Sequence, residues 1–127
     1  MKKIIASGIV LAILAACGSN DSSKKEEGKG ETVVDNSSNP DYKKGLALIA
    51  GDDCLTCHKV DELLTGPSYR DIANKYSKDD NAVPYLADKI IKGGSGVWGE
   101  AIMTPHAGLS KEDAEAMAKY IMLLKNK

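Results

Sequence analysis

The feature that most constrains this chain is a pair of cysteines followed at once by a histidine, Cys54-Leu55-Thr56-Cys57-His58. Two cysteines three positions apart on a helical turn present both sulfur atoms on one side of that turn. His58 follows Cys54 by four positions, so its imidazole falls on the same side. The chain therefore gathers two thiols and one nitrogen ligand at a single place, and the fold must leave room there for the group that they bind.

The C-x-x-C-H spacing is the attachment signature of a c-type haem. The thiols can form thioethers with the two haem vinyl groups, and the histidine reaches the iron from one axial direction. We predict one covalent haem c, attached through Cys54 and Cys57 and ligated by His58. One alternative is a thioredoxin-like redox pair, which requires a βαβ context. Another is a zinc site completed by His106, which lacks the usual spaced pair of histidines.

Composition points to a group in the centre of the fold. The chain has 127 residues, which excludes a multidomain enzyme. It contains no Phe and one Trp, so it lacks the bulky side chains that fill most small cores. The formal net charge is −1 at pH 7, and this balance excludes a basic surface for nucleic acid.

Apolar periodicity and capping residues predict four helices. The first covers about residues 40–50, the second follows Ser68, the third covers about residues 81–92 and the fourth follows Ser110. Each of the two serines has an aspartate three positions later, which is typical of a capping box. Because no stretch alternates between apolar and polar residues as a strand does, the predicted fold class is all-α.

A glycine-rich stretch, residues 93–108, separates the third and fourth helices and has no regular period. Loops of this length in a small domain are usually functional, and we expect this one to wrap the cofactor. Met103 lies in it, whereas Met117 and Met122 belong to the fourth helix. A thioether suits low-spin haem iron and raises its reduction potential when paired with His. We predict Met103 as the second axial ligand, with His106 as the competing candidate.

The N-terminal residues predict export. Residues 1–16 contain two lysines and then an apolar run too short to span a bilayer, as in a secretory signal. Their end resembles the bacterial lipobox, which implies that Cys17 is lipidated and becomes the mature N-terminus. An ordinary signal peptide with an incidental cysteine is the alternative. Residues 17–40 are polar and predict a flexible linker, and residues 41–127 form the domain.

Three motifs follow one another along this domain: C-x-x-C-H, Gly66-Pro67-x-Tyr69, and Gly-Val-Trp-Gly followed by Met103-x-Pro105. Together they resemble the small class I cytochromes c of bacteria, in particular the short periplasmic subgroup. The resemblance implies a small cytochrome c fold of about four helices wrapped around one covalently attached haem.

The resemblance also implies roles for single residues. The carbonyl of Pro67 would accept a hydrogen bond from His58 Nδ1, and Arg70 and Trp98 would hold a haem propionate. Gly45 and Tyr120 would meet where the first and last helices cross. The family often has Asn three positions after the ligand methionine, where this chain has a histidine.

By the same resemblance, the protein is a one-electron carrier and not an enzyme. It would be lipid-anchored to the outer side of a bacterial membrane, which is the periplasmic side in a Gram-negative cell. Expected partners are a quinol-oxidising complex, a terminal oxidase, a nitrite reductase or a peroxidase. Two other hypotheses stay open: a haem-based sensor in which Met103 dissociates, and a subunit docked permanently in a larger redox complex.

Overall fold

The computed structural model describes residues 35–126, and within them the chain forms four α-helices, one 3-10 turn and one short hairpin. The prediction of a mostly helical fold with about four helices is confirmed. In chain order the elements are α1 (Pro40–Gly51), the 3-10 turn (Asp53–Thr56), α2 (Tyr69–Lys75), α3 (Ala82–Lys92), β1 (Gly94–Gly96), β2 (Gly99–Met103) and α4 (Lys111–Met122).

Side-chain caps begin three of these helices. Ser68 Oγ accepts a hydrogen bond from the Asp71 N–H at 3.0 Å and donates one to its carboxylate at 2.7 Å. Ser110 and Asp113 repeat the arrangement at the start of α4, at 3.1 and 2.9 Å. Asn39 caps α1 by accepting from the N–H of the second residue after it, at 2.8 Å. Because the first amides of a helix have no partner within it, these caps set where each helix begins.

Helices α1 and α4 pack against each other at a glycine. Gly45 is buried, and a Cβ added to it would overlap the carbonyl oxygen of Ala116 and the Cβ of Tyr120. The rings of Tyr42 and Tyr120 lie beside this contact, with their centroids 5.0 Å apart. The predicted contact between Gly45 and Tyr120 is therefore confirmed, and its reason is that only glycine lets the two backbones approach so closely.

The hairpin is the one departure from the all-helical prediction. Strands β1 and β2 pair antiparallel within residues 93–108, which we expected to be an irregular loop. Gly96 pairs with Gly99 and both have positive φ, 90° and 99°, so the chain turns tightly through Val97 and Trp98. Glycine-rich strands lack the alternation on which strand prediction depends, because a glycine has no side chain to place on either face of the strand.

The buried core consists of aliphatic side chains, alanines and two tyrosines. Its packing is concentrated where α4 meets α1, α2 and α3. Ile49, Leu86 and Met117 belong to this core and also line a large cleft on its other side. The members are Ile49, Tyr69, Ile72, Leu86, Ala87, Ile90, Ala114, Met117, Ala118, Tyr120, Ile121 and Leu124.

The segment before α1 already contacts the domain. Asn36 Nδ2 donates to the carbonyl of Leu123 at 2.9 Å, although residues 17–40 were predicted as linker. Cys17 and the predicted signal lie outside the described residues. Within residues 35–126, none of the helices has the length and apolar character needed to cross a bilayer.

Candidate haem site

The two cysteines lie on a tight helical turn. The Cys57 and His58 amides both donate to the Cys54 carbonyl, at 3.2 and 3.0 Å, and the Asp52 side chain caps the start of the turn. Cys54 is half-buried and Cys57 is exposed, and no disulfide joins them. The backbone thus makes the turn that the spacing predicts and places the histidine directly after it.

The surroundings of Cys54 do not suit a redox cysteine. Burial raises the pKa of the Cys54 thiol, and the negative charge of Asp52 raises it further. Reactive cysteines in C-x-x-C redox pairs have a lowered pKa, which makes the thiolate available. The fold around the turn is also helical and lacks a βαβ unit in the described residues. Both observations argue against the thioredoxin-like alternative.

The imidazole of His58 is held in one orientation. Its Nδ1 lies 2.7 Å from the carbonyl oxygen of Pro67, and since a carbonyl can only accept, Nδ1 carries the proton. A Cβ added to Gly66 would come within 2.5 Å of the imidazole, so the ring packs directly on the glycine backbone. Tyr69 stacks against the ring with centroids 5.4 Å apart. The remaining nitrogen, Nε2, is left with its lone pair available to a metal.

His58 and Met103 line one cleft, together with both cysteines. The cleft has an empty volume of about 1390 Å³ including its open mouth. Most of its wall is apolar. Every α-helix, the hairpin and the turn that carries the two cysteines, residues 53–57 and here called the attachment turn, contribute residues to it. A flat, mostly apolar macrocycle fits this wall, so the site is consistent with the haem that the cysteine motif predicts.

Met103 reaches the cleft at the end of β2. A glycine makes this possible, because Gly93 has φ 69° and a Cβ on it would overlap the carbonyl oxygen of Met103. The same Cβ would lie 3.0 Å from the Pro105 nitrogen. Gly93 thus ends α3 and also lets the segment that carries Met103 fold back against the helix end. Met117 also lines the cleft, but its side chain is packed in the core along α4 and is 1% exposed.

His106 is engaged elsewhere. Its Nε2 lies 2.8 Å from Asp53 Oδ1, and its Nδ1 is buried without a hydrogen-bond partner among the described residues. The hydrogen bond to Asp53 raises the pKa of His106 above its ordinary value. Among the described residues, neither ring nitrogen of His106 is hydrogen-bonded to the sulfur of Met103.

A zinc site is not assembled. Among residues 35–126, the only group of three or more ligand atoms close enough to share a metal is that of Asp52, Asp53 and His106. Cys54 and Cys57 do not join it, so the Cys₂His₂ alternative has no geometric support in the described residues.

Arg70 does not line the cleft. Its guanidinium pairs with the carboxylate of Asp61 and donates to the carbonyl of Leu124 at 2.6 Å. The structure thus gives no support to the prediction that it binds a propionate. Its position at the start of α2 directs it instead to the loop before that helix and to the end of α4.

Lys89 is the cation that sequence reasoning missed. It is the only Lys or Arg among the described residues that line the cleft, and its Nζ lies 5.5 Å from the centre of the Tyr85 ring. Its periodic position in α3 is that of an ordinary exposed lysine, so no sequence signal distinguishes it. Trp98, which was predicted at the propionates, does line the cleft and is 41% exposed. Lys75 Nζ lies 5.0 Å from the centre of its ring.

Comparison with known proteins gives one consistent match. The cytochrome c family model matches residues 42–125. Cytochrome c-552 of Nitrosomonas europaea is 46% identical over 78 residues, which cover 61% of this chain and 76% of the relative. Cytochrome c-552 of Hydrogenobacter thermophilus is 43% identical over 72 residues, which cover 57% and 72%. The crystal structure of wild-type Nitrosomonas europaea cytochrome c552 has a TM-score of 0.61 and 44% identity, over 63% of this chain and 99% of that one.

Proposed function

Because the chain belongs to the cytochrome c family, we propose that it carries single electrons between redox proteins, with His58 and Met103 as axial ligands of its haem iron. It is a monohaem class I cytochrome c, and such proteins are electron-transfer proteins and not enzymes. One haem c is attached through Cys54 and Cys57, and it supplies the Fe(III)/Fe(II) couple.

His58 supports this role through its fixed tautomer. The 2.7 Å hydrogen bond from Nδ1 to the Pro67 carbonyl leaves the Nε2 lone pair for the iron. Such a bond also increases the basicity of the ligand nitrogen and prevents the ring from rotating. Gly66 and Tyr69 both pack against the ring, so we expect little reorganisation of the histidine when the iron changes its charge.

The observation that carries the proposal is that Met103 and His58 line the same cleft as the two attachment cysteines. Two protein ligands, His58 directly after the attachment turn and Met103 at the end of the hairpin, would leave the iron no open position. An iron without an open position exchanges electrons and does not bind substrate, which favours a carrier over an oxygen-binding or catalytic protein.

Partner docking is supported by apolar side chains that the described residues leave exposed near the attachment turn and the hairpin. Leu55 lies between the two cysteines, and Ile102 directly precedes Met103 and is 78% exposed. Short-lived redox complexes use small interfaces, and exposed apolar side chains beside the haem suit them. We assign the partners to the class of respiratory redox proteins: a quinol-oxidising complex, a terminal oxidase, a nitrite reductase or a peroxidase. The exposed apolar side chains are those of Leu55, Leu63, Leu64, Val97 and Ile102, of which Val97 and Ile102 also line the cleft.

The proposal includes export and a lipid anchor at Cys17. Its support is the short apolar run of residues 4–16, which ends in two alanines before that cysteine. Haem attachment to thiols also suits a compartment outside the cytoplasm. A polar linker would let the domain move between membrane neighbours and raise its effective concentration near them.

The decisive experiment is a visible spectrum of the full chain, produced in a host that matures c-type haem. We expect sharp α and β bands in the reduced protein, and the weak far-red band of Met–iron coordination in the oxidised protein. The control is the Cys54→Ala/Cys57→Ala double variant, which should carry no covalent haem. Haem bands without the far-red feature would contradict the His58/Met103 ligand pair, and absence of haem would contradict the whole proposal.

A further inference from the structure

Asp53 and His106 form a contact across the cleft that the haem site does not explain. His106 Nε2 lies 2.8 Å from Asp53 Oδ1, and the two residues are 53 positions apart in the chain. The His106 side chain is 15% exposed and that of Asp53 is 73% exposed. The histidine is thus the enclosed partner, and the aspartate reaches in from the surface.

The contact joins the two segments that would hold the haem. Asp53 is the first residue of the attachment turn and directly precedes Cys54, while His106 follows Met103 by three positions. Both line the cleft. If Met103 is to leave the iron, the short segment between it and His106 must move, and the hydrogen bond to Asp53 resists that movement.

Main-chain hydrogen bonds also fix the position of His106. Its N–H donates to the carbonyl of Ile90 in α3 at 3.1 Å, and its carbonyl accepts from the N–H of Leu109 at 3.0 Å. The segment after Met103 is therefore tied to α3 through the backbone and to the attachment turn through a side chain. Only the side-chain hydrogen bond between His106 and Asp53 can be removed by substitution without altering the backbone.

The charges around His106 strengthen the bond. Asp53 and Asp52, the cap residue before it, contribute carboxylates, and α3 contributes the Ile90 carbonyl. Lys89 of α3 lines the same cleft and is not among the groups that shift the pKa of His106. The two carboxylates favour the imidazolium, and a hydrogen bond between charged partners is stronger than one between neutral groups. The bond should therefore be strongest when His106 is protonated.

We propose that Asp53 and His106 form a positioning clasp that holds the Met103 segment closed against the attachment turn and so limits access of other ligands to the iron. The inference rests on the proposed ligation by Met103. A thioether is a neutral ligand that outside molecules can displace, so its occupancy depends on how firmly its segment is held. Neither residue of the clasp would touch the iron, since both act by holding the segment that carries Met103.

The test is titration of the oxidised full-length holoprotein with imidazole, followed by loss of the far-red Met–iron band. Removing the clasp with Asp53→Ala should tighten apparent imidazole binding about tenfold, the effect of losing one charge-assisted hydrogen bond. His106→Ala should act in the same direction. The double variant should bind imidazole no more tightly than the stronger single variant, because both substitutions remove the same bond.

The matched control is Asp52→Asn, which removes one negative charge from the neighbouring position. The Asn side chain keeps an oxygen that can accept from the Asp53 amide, as Asp52 does at 2.9 Å. We expect less than about a threefold change in imidazole binding. If Asp52→Asn and Asp53→Ala changed imidazole binding equally, loss of negative charge alone would explain the effect and the clasp would be overturned. If the effects of Asp53→Ala and His106→Ala on imidazole binding added up in the double variant, the clasp would be overturned as well.

The outcomes also separate the clasp from the proposed ligation. A far-red band in the untreated protein with no change in Asp53→Ala would overturn the clasp alone. Lack of that band in the untreated protein would overturn the ligation by Met103 and the clasp with it. Because Asp53 is largely exposed, its variant should fold, and intact reduced α and β bands check this directly.

Discussion

The Nδ1 atom of His58 lies 2.7 Å from the carbonyl oxygen of Pro67, nine positions later in the chain. The loop between them returns because the Gly66 N–H donates to the Cys57 carbonyl at 2.8 Å, and the Tyr69 N–H donates to the Lys59 carbonyl at 2.9 Å. This main-chain network fixes the tautomer of the histidine. The metal ligand is therefore oriented by the backbone of its own loop.

Gly66→Ala should disturb this orientation. The added Cβ would lie within 2.5 Å of the His58 ring, too close for any side-chain carbon, and overpacking of this kind typically costs about 1–3 kcal/mol. We expect a lower free energy of unfolding and a shifted reduction potential, measured by denaturant unfolding and potentiometry. Gly108→Ala is the control, since nothing lies within 4 Å of its added Cβ. Equal behaviour of the two variants would contradict the close packing of His58 on Gly66.

Met103→Ala should open the iron. The far-red band should disappear, the oxidised protein should bind imidazole readily, and the potential should fall by a sizeable part of the ~0.8 V over which axial ligands set haem potentials. Spectroscopy and potentiometry measure these effects. Met122→Ala, a partly buried methionine of α4, should leave the far-red band in place. Persistence of the band in Met103→Ala would assign the ligand role to another residue.

Lys89→Gln should lower the reduction potential, because it removes the positive charge that faces the cleft and that charge favours the reduced haem. Arg70→Gln should change the potential less. It should instead reduce stability by about 1 kcal/mol, since the contacts with Asp61 and the Leu124 carbonyl would be lost. Potentiometry and thermal unfolding of the two variants show which of the two cations affects the reduction potential and which affects stability. A larger potential shift in Arg70→Gln would restore the original prediction for that residue.

The reduction potential should depend on pH through His106. The hydrogen bond to Asp53 raises the pKa of His106, so its proton is held to a higher pH than in the unfolded chain. The contribution of the protonated His106–Asp53 pair to the stability of the folded protein is fully present below the ordinary histidine pKa of about 6.5. That contribution is lost as pH rises through the raised pKa of His106.

The sign of this dependence follows from charge. Protonated His106 favours the reduced haem, so the potential should fall as pH rises through the His106 pKa, by no more than about 59 mV per pH unit for one electron and one proton. Potentiometry across this range should give a curve that flattens in His106→Ala. An unchanged curve in that variant would assign the pH dependence to a different group.

Cys17→Ser should release the protein from the membrane. Without the thiol no lipid can be attached, and the apolar run of residues 4–16 is too short for a stable membrane span. Cell fractionation with detection of covalent haem measures the distribution. Ser19→Ala, two positions after the predicted lipidation site, is the control and should stay in the membrane fraction. Retention of the Cys17→Ser protein there would contradict the lipid anchor.

Local features explain why the helices and the attachment turn could be predicted. Helix starts at Ser68 and Ser110 depend on neighbours three positions away, and the C-x-x-C-H turn depends on a few consecutive residues. The hairpin was missed because its glycines carry no alternating pattern. The assignment of Arg70 lacks support because its partners, Asp61 and the Leu124 carbonyl, come from other parts of the chain.

The sequence by itself determined the chemistry of this protein: the attachment of a haem through Cys54 and Cys57, and the four-helix class of its fold. These follow from side-chain spacing over a few turns, where the backbone geometry is known in advance. Tertiary structure alone decided that Lys89 faces the cleft and that Asp53 meets His106. Such pairs form only after distant segments pack, because the direction of a surface side chain is set by the neighbours that the fold brings to it.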